Sequence, residues 1–171
     1  MERRDWEAAA ELEPRTPDYL EWDRYAWPEA LSWYARGLGL VHTGDVEGAR
    51  EAEVHMAELR DTARDTGEDA MATYIEVDRL ILDAWIRMSE GEAEAALELA
   101  RDAAELEATV EKHPITPGAL LPPWEVLGEL HLELDEPNEA LTAFESGLEV
   151  WPERLRSLEG VERAREALQD R

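Results

Sequence analysis

The sequence contains no cysteine, which removes disulfides, thiolate nucleophiles, thiolate zinc sites and cysteine-held iron–sulfur clusters from consideration. Lysine and asparagine occur once each, as Lys112 and Asn138, and phenylalanine once, as Phe144. No apolar run approaches the ~20 residues that span a bilayer. The opening Met-Glu-Arg-Arg-Asp-Trp-Glu lacks the hydrophobic stretch of a signal peptide, so a soluble chain of undetermined compartment is expected. Cations are scarce: 17 basic against 42 acidic residues leave a formal charge of −25. Such a surface repels phosphate backbones and anionic lipid head groups over a Debye length of about 8–10 Å. No nucleic acid and no membrane partner is therefore expected. The chain also lacks a Gly-x-Ser-x-Gly elbow, a phosphate-cradling glycine loop and an Asp-x-Asp-x-Asp-Gly calcium loop. Catalysis and cofactors are not expected.

What is present, within 171 residues, is a length for about one domain and an internal period. From Leu121, the residues Trp124, Leu127, Gly128, His131, Ala140, Phe144, Gly147 and Pro152 fall on the alternating large and small positions of a frame of about 34 residues. Small side chains at Gly128, Ala140 and Gly147 let two antiparallel helices approach, and Trp124, His131 and Phe144 fill the seam between them. A second copy opens at Ala30, with Trp33, Gly37, Leu40, Ala49 and Met56. A weaker third opens at Val77, with Leu80, Ala84, Ala96, Ala100 and Ala103, but carries Asp83 and Arg87 where apolar and aromatic residues are usual. The spacing of the three starts exceeds the frame by roughly ten residues each time, which places insertions between repeats.

Helix ends are legible in the same regions. Pro28 suits a first turn and Gly44 a C-terminus, with Asp45 capping a partner that runs to about Arg64. The Thr66-Gly67 break leads into a long helix carrying Met71, Tyr74, Ile75, Leu80, Ile81, Trp85 and Met88 at helical spacing, ended by Gly91. An alanine-rich helix follows to about Val110. Pro122-Pro123, Glu136-Pro137 and Trp151-Pro152 announce three more. The charged stretch from Glu162 to Arg171 reads as the solvent face of a C-terminal capping helix. The proline-rich run 111–125 reads as an ordered spacer, pinned by Ile115, Leu120 and Leu121.

These signatures resemble the tetratricopeptide repeat. The runs His-Pro-Ile-Thr-Pro-Gly, Leu-Pro-Pro-Trp-Glu-Val-Leu-Gly-Glu-Leu and Pro-Asn-Glu-Ala-Leu-Thr-Ala-Phe-Glu are similar to the C-terminal region of a bacterial family of such proteins. The likeness covers about residues 25–168 and is most specific over 113–152. The resemblance implies an all-α right-handed superhelix of hairpins at about 30–63, 77–110 and 121–154, closed by a capping helix. Residues 1–27 would supply a partial N-terminal repeat helix and a linker, and the chain would be the C-terminal piece of a longer array. It implies a scaffold and no reaction. The concave positions of such repeats correspond here to Tyr34, Leu38, Val41 and His42, then Asp78, Ile81, Trp85 and Met88, then Glu125, Glu129, Leu132 and Glu133. A basic or apolar-anchored protein or peptide suits that lining, whereas an acidic tail, which needs lysine and asparagine clamps, does not.

The triple Glu125, Glu129, Glu133 lies along one helical face and is expected to be solvated or to line the groove. Among the histidines, Glu53/His55 and Glu129/His131 are two apart and point to different sides of a helix, so neither pair shares an ion; no metal site is expected. His131 falls on a seam position and reads as a packed core residue. His113 and Thr116 sit in the proline-rich loop. Two rival readings follow: a metal-binding or enzymatic accessory using His113 with residues from upstream repeats, and a homo-oligomer formed through an uncovered end of the array.

Overall fold

The computed structural model describes residues 3–110 and 120–170. Among them the chain is all-helical, without strands: α1 (Trp6–Ala10), α2 (Ala26–Thr43), α3 (Val46–Asp65), α4 (Asp69–Ser89), α5 (Ala93–Thr109), α6 (Pro123–Glu133), α7 (Pro137–Val150) and α8 (Leu155–Gln169), with a 3-10 turn at Trp22–Arg24. No helix among the described residues is long and apolar enough to cross a membrane.

The turns follow from local chemistry. Gly44 ends α2 at φ 92°, a left-handed conformation that costs glycine nothing. The amide of Asp45 then bonds back to Leu40 O at 2.9 Å, and its carboxylate accepts the amide of Gly48 at 2.9 Å, satisfying a donor that α3 leaves open. α2 begins at Ala26, two residues before Pro28, which lies in the first turn where its missing N–H is no loss. Pro123 and Pro137 open α6 and α7. The last helix begins later than the Trp151-Pro152 signal suggests. Glu153 turns the chain at φ 63°, and Arg154, anchored by its side chain to Glu125 at 2.7 Å, sets the start of α8 at Leu155.

Consecutive helices pack in pairs along the chain, and further contacts join α2 to α4, α4 to α6 and α6 to α8. Among the described residues, α3, α5 and α7 do not touch one another. Helices α2 to α8 therefore form two layers, one in which α2, α4, α6 and α8 each touch the next and one in which α3, α5 and α7 are spread apart. Leu121 is buried and Leu120 packs against the main core, so the described end of the proline-rich segment is pinned as expected; Ile115 lies outside the described residues.

The seams are built from small residues. Ala49, Ala84, Ala96, Ala100, Ala103 and Ala140 are essentially inaccessible. A methyl added at Gly37 would come within 2.6 Å of Leu82, and one at Gly128 within 2.7 Å of the Phe144 ring. Gly160 of α8 meets the same ring from elsewhere, where an added methyl would stand 2.5 Å away. The fully buried Phe144 is thus held between glycines of α6 and α8 and cannot retreat from one without meeting the other. Gly128→Ala is expected to cost about 1–3 kcal/mol by overpacking, despite alanine's better helix propensity. Thermal denaturation measures this, and an unchanged or raised midpoint would refute the packing argument.

Candidate functional site

The even-numbered layer brings the anticipated concave positions of α2, α4 and α6 together, but mostly as the floor of a filled face. Tyr34, Leu38 and Ile81 have no accessible surface, and Trp85 and Asp78 are buried. His42 is partly accessible. Of the acidic triple on α6, Glu133 is exposed as expected, whereas Glu125 and Glu129 are buried. Glu125 is completely buried, accepting from Arg154 Nε at 2.7 Å and Ser157 Oγ at 3.1 Å, because α8 folds back over α6. Its role is to tie two helices together. Glu129 is 9% exposed and is ion-paired to Arg4, 125 residues earlier in the chain. His131 is the packed histidine that its seam position implies, with Nδ1 2.7 Å from Glu136 Oε2. His113 and Thr116 lie outside the described residues. Among the described residues no cluster of histidines and acids could hold a metal ion.

The sequence anticipates a helix near the N-terminus, present as α1, but does not place the residues leading into it on this face. Asp5 caps α1 by accepting the amide of Ala8, and α1 lies directly on α2. A methyl at Gly39 would fall 2.2 Å from Ala10 N and 2.7 Å from Trp6 O, so only glycine permits that approach. Trp6 then stacks on His42, with centroids 4.3 Å apart and planes 18° from parallel. On its other side His42 meets Trp85, tilted by 60° at 4.6 Å. Arg4, at φ 50°, reaches past this stack to Glu129. The only hint in the sequence was Arg3-Arg4-Asp5-Trp6, adjacent cations in a chain that has few.

Burial dominates the electrostatics. It lowers the His42 pKa to about 4, helped by the nearby Arg4 charge. It pushes Asp78 up to about 8, with Glu107 adding repulsion. Burial also raises Glu129, more than the Arg4 guanidinium lowers it, and raises Glu133 against the opposing charges of Arg163 and Arg4. The Tyr34 hydroxyl, raised by burial and then by Asp78, Glu129 and Glu125, has no hydrogen-bond partner among the described residues. The face is therefore a desolvated acidic patch with an aromatic rim, able to take a cationic group and a flat ring side by side.

Asp78 gives a pH test with a defined sign. An unfolded aspartate releases its proton near pH 3.9, the folded one near 8. Between these values the folded state holds more protons, so stability falls as pH rises. His42 acts oppositely, losing stability as pH falls from about 6.5 towards 4, and is neutral in both states above that window. Asp78→Asn should therefore stabilise the protein increasingly from pH 6.5 to 8, by up to about 1.4 kcal/mol per pH unit. Denaturant titration at several pH values reads this directly, and a constant difference between variant and parent would contradict it.

Compared with protein-family models, curated proteins and solved structures, the chain matches none, so what this face does has to be read from its own chemistry.

Proposed function

We propose that the chain is a tetratricopeptide-like interaction scaffold, a right-handed superhelix whose inner face binds a basic or apolar-anchored segment of a partner protein. Three features support the repeat reading. Three helical hairpins, α2/α3, α4/α5 and α6/α7, follow one another along the chain, the last with shorter helices. The expected small positions lie buried in their seams. The even-numbered helices touch while the odd-numbered ones do not, the arrangement of a curved stack with the even layer inside.

The observation that carries the binding reading is the ion pair between Arg4 and Glu129 beside the Trp6–His42–Trp85 stack. The face accommodates a guanidinium and an indole within its own fold, and both contacts are of kinds that anchor peptides. A charge-assisted bond formed away from water is stronger than a neutral one, and aromatic anchors in desolvated pockets dominate interface energies. The net charge of −25 would draw cationic partners in and turn anionic ones away.

Selection from a random peptide library on the full chain is expected to enrich arginine or lysine next to aromatic residues. Capture should weaken with added salt and fall at least about tenfold, the loss of ~1.4 kcal/mol, in the Glu129→Gln, Glu133→Gln variant. Enrichment of acidic peptides, or capture indifferent to those two carboxylates, would sink the proposal.

A further inference from the structure

The segment Arg4–Ala10 has two kinds of attachment that differ in what they require. The short helix α1 is held by shape: its backbone rests on Gly39, where no side chain intervenes. Arg4 and Trp6 are held by chemistry, the guanidinium on Glu129 of α6 and the indole against His42 of α2. Neither of these two side chains is fully buried. Arg4 keeps 26% of its side-chain surface and its partner Glu129 11%, while Trp6 is half-buried. The floor beneath them is different. Tyr34 is fully buried, and its hydroxyl has no partner among the described residues although three carboxylates of α4 and α6 surround it closely enough to shift its titration. The acidic patch thus contains an unused buried donor as well as an arginine at its edge.

We infer that Arg4–Trp6 is a resident occupant of the inner face and that the partner segment presents the same pattern, an arginine two residues before an aromatic ring, and binds by displacing it. This rests on reading the inner face as the docking surface and adds the partner's pattern and its regulation. The spacing follows from geometry: one residue, Asp5, separates the guanidinium on Glu129 from the ring on His42, and Asp5 itself is used in capping α1. A tethered occupant acts at an effective concentration of order millimolar. It therefore reduces the apparent affinity of any competitor by the fraction of time the face is open. A partner richer in cations than Arg4–Ala10, which carries Asp5 and Glu7 beside Arg4, gains from the surrounding field and wins the exchange.

Two variants of the full chain separate shape from chemistry. Arg4→Ala, Trp6→Ala removes the occupant's side chains, and Gly39→Ala drives a methyl into the α1 backbone without altering an acidic or aromatic residue of the face. The probe is a fluorescein-labelled peptide in which an Arg-Ser-Trp core is flanked by lysines, read by anisotropy at low salt. Both variants are expected to bind it at least about tenfold more tightly than the parent, and adding Glu129→Gln to either should cancel the gain. In the parent, saturating peptide should speed hydrogen exchange at Ala8, Ala9 and Ala10, a readout that survives if a variant folds poorly. Equal affinity for parent and variants, with no change in exchange, overturns the displacement while leaving the docking face standing. Absence of binding to parent and variants alike overturns both. A doubling of mass in light scattering on Gly39→Ala, with no gain in peptide affinity, assigns the face to the same segment of a second copy and overturns the peptide partner.

Discussion

Close approach of helix backbones is the constraint on which the rest depends. Where a seam carries Gly37, Gly128 or an alanine, the facing helix comes near enough for Leu82 or Phe144 to fill the space a side chain would need. Tight seams bring the even-numbered helices into mutual contact, and that contact takes carboxylates on their shared face out of water. Asp78 is buried within that layer, while α8 and the Arg4 segment complete the enclosure of Glu125 and Glu129 on the same face. Wider seams would leave Asp78 as ordinary solvated surface and give those remote segments no tight face to close over.

An acidic chain with few cations must place those it has. Arg79 of α4 bonds Glu76 at 2.8 Å and pairs with Glu53 of α3, while Arg60 of α3 reaches Glu76 at 2.7 Å. Burial alone would raise Glu76, yet the two guanidinium groups outweigh it and hold its pKa at about 2. Arg154 bonds Glu125, joining α6 to the start of α8. Planar guanidinium groups suit this role better than ammonium groups, because they bridge two carboxylates at once and tolerate partial burial. Arginine thereby acts as the fastener between layers. Asp78, which no cation among the described residues pairs with, keeps its proton up to about pH 8 instead.

Most of the helical architecture was legible because it is written locally. Gly44, Gly67 and Gly91 all take positive φ at helix ends, Asp45 caps where its spacing said it would, and the small residues of the three frames are buried where two helices meet. What could not be read depends on partners distant in sequence. Whether Glu125 is solvated is decided by Arg154 and Ser157, which arrive only when α8 folds back. The fate of Glu129 is decided by Arg4. Periodicity finds the face on which a residue lies, but its charge environment is set by whichever remote segment closes over that face. The same limit applies to α1: an N-terminal helix is anticipated and present, but its seat on Gly39 is invisible without the fold.

The Trp6–His42–Trp85 arrangement shows why this face can hold an occupant loosely enough to exchange. A protonated His42 would repel Arg4, and burial prevents that by keeping the ring neutral down to about pH 4. The neutral ring stacks on one indole and tilts against the other, giving a contact worth about 0.5–1.5 kcal/mol beyond its area. The Arg4–Glu129 pair is stronger than a surface bridge but remains partly wetted, which limits its net gain. Two moderate contacts on one short segment, each reversible, hold it by proximity more than by strength. A segment held in that way yields to one offering the same two contacts and more positive charge, whereas a deeply buried strut such as Glu125–Arg154 does not.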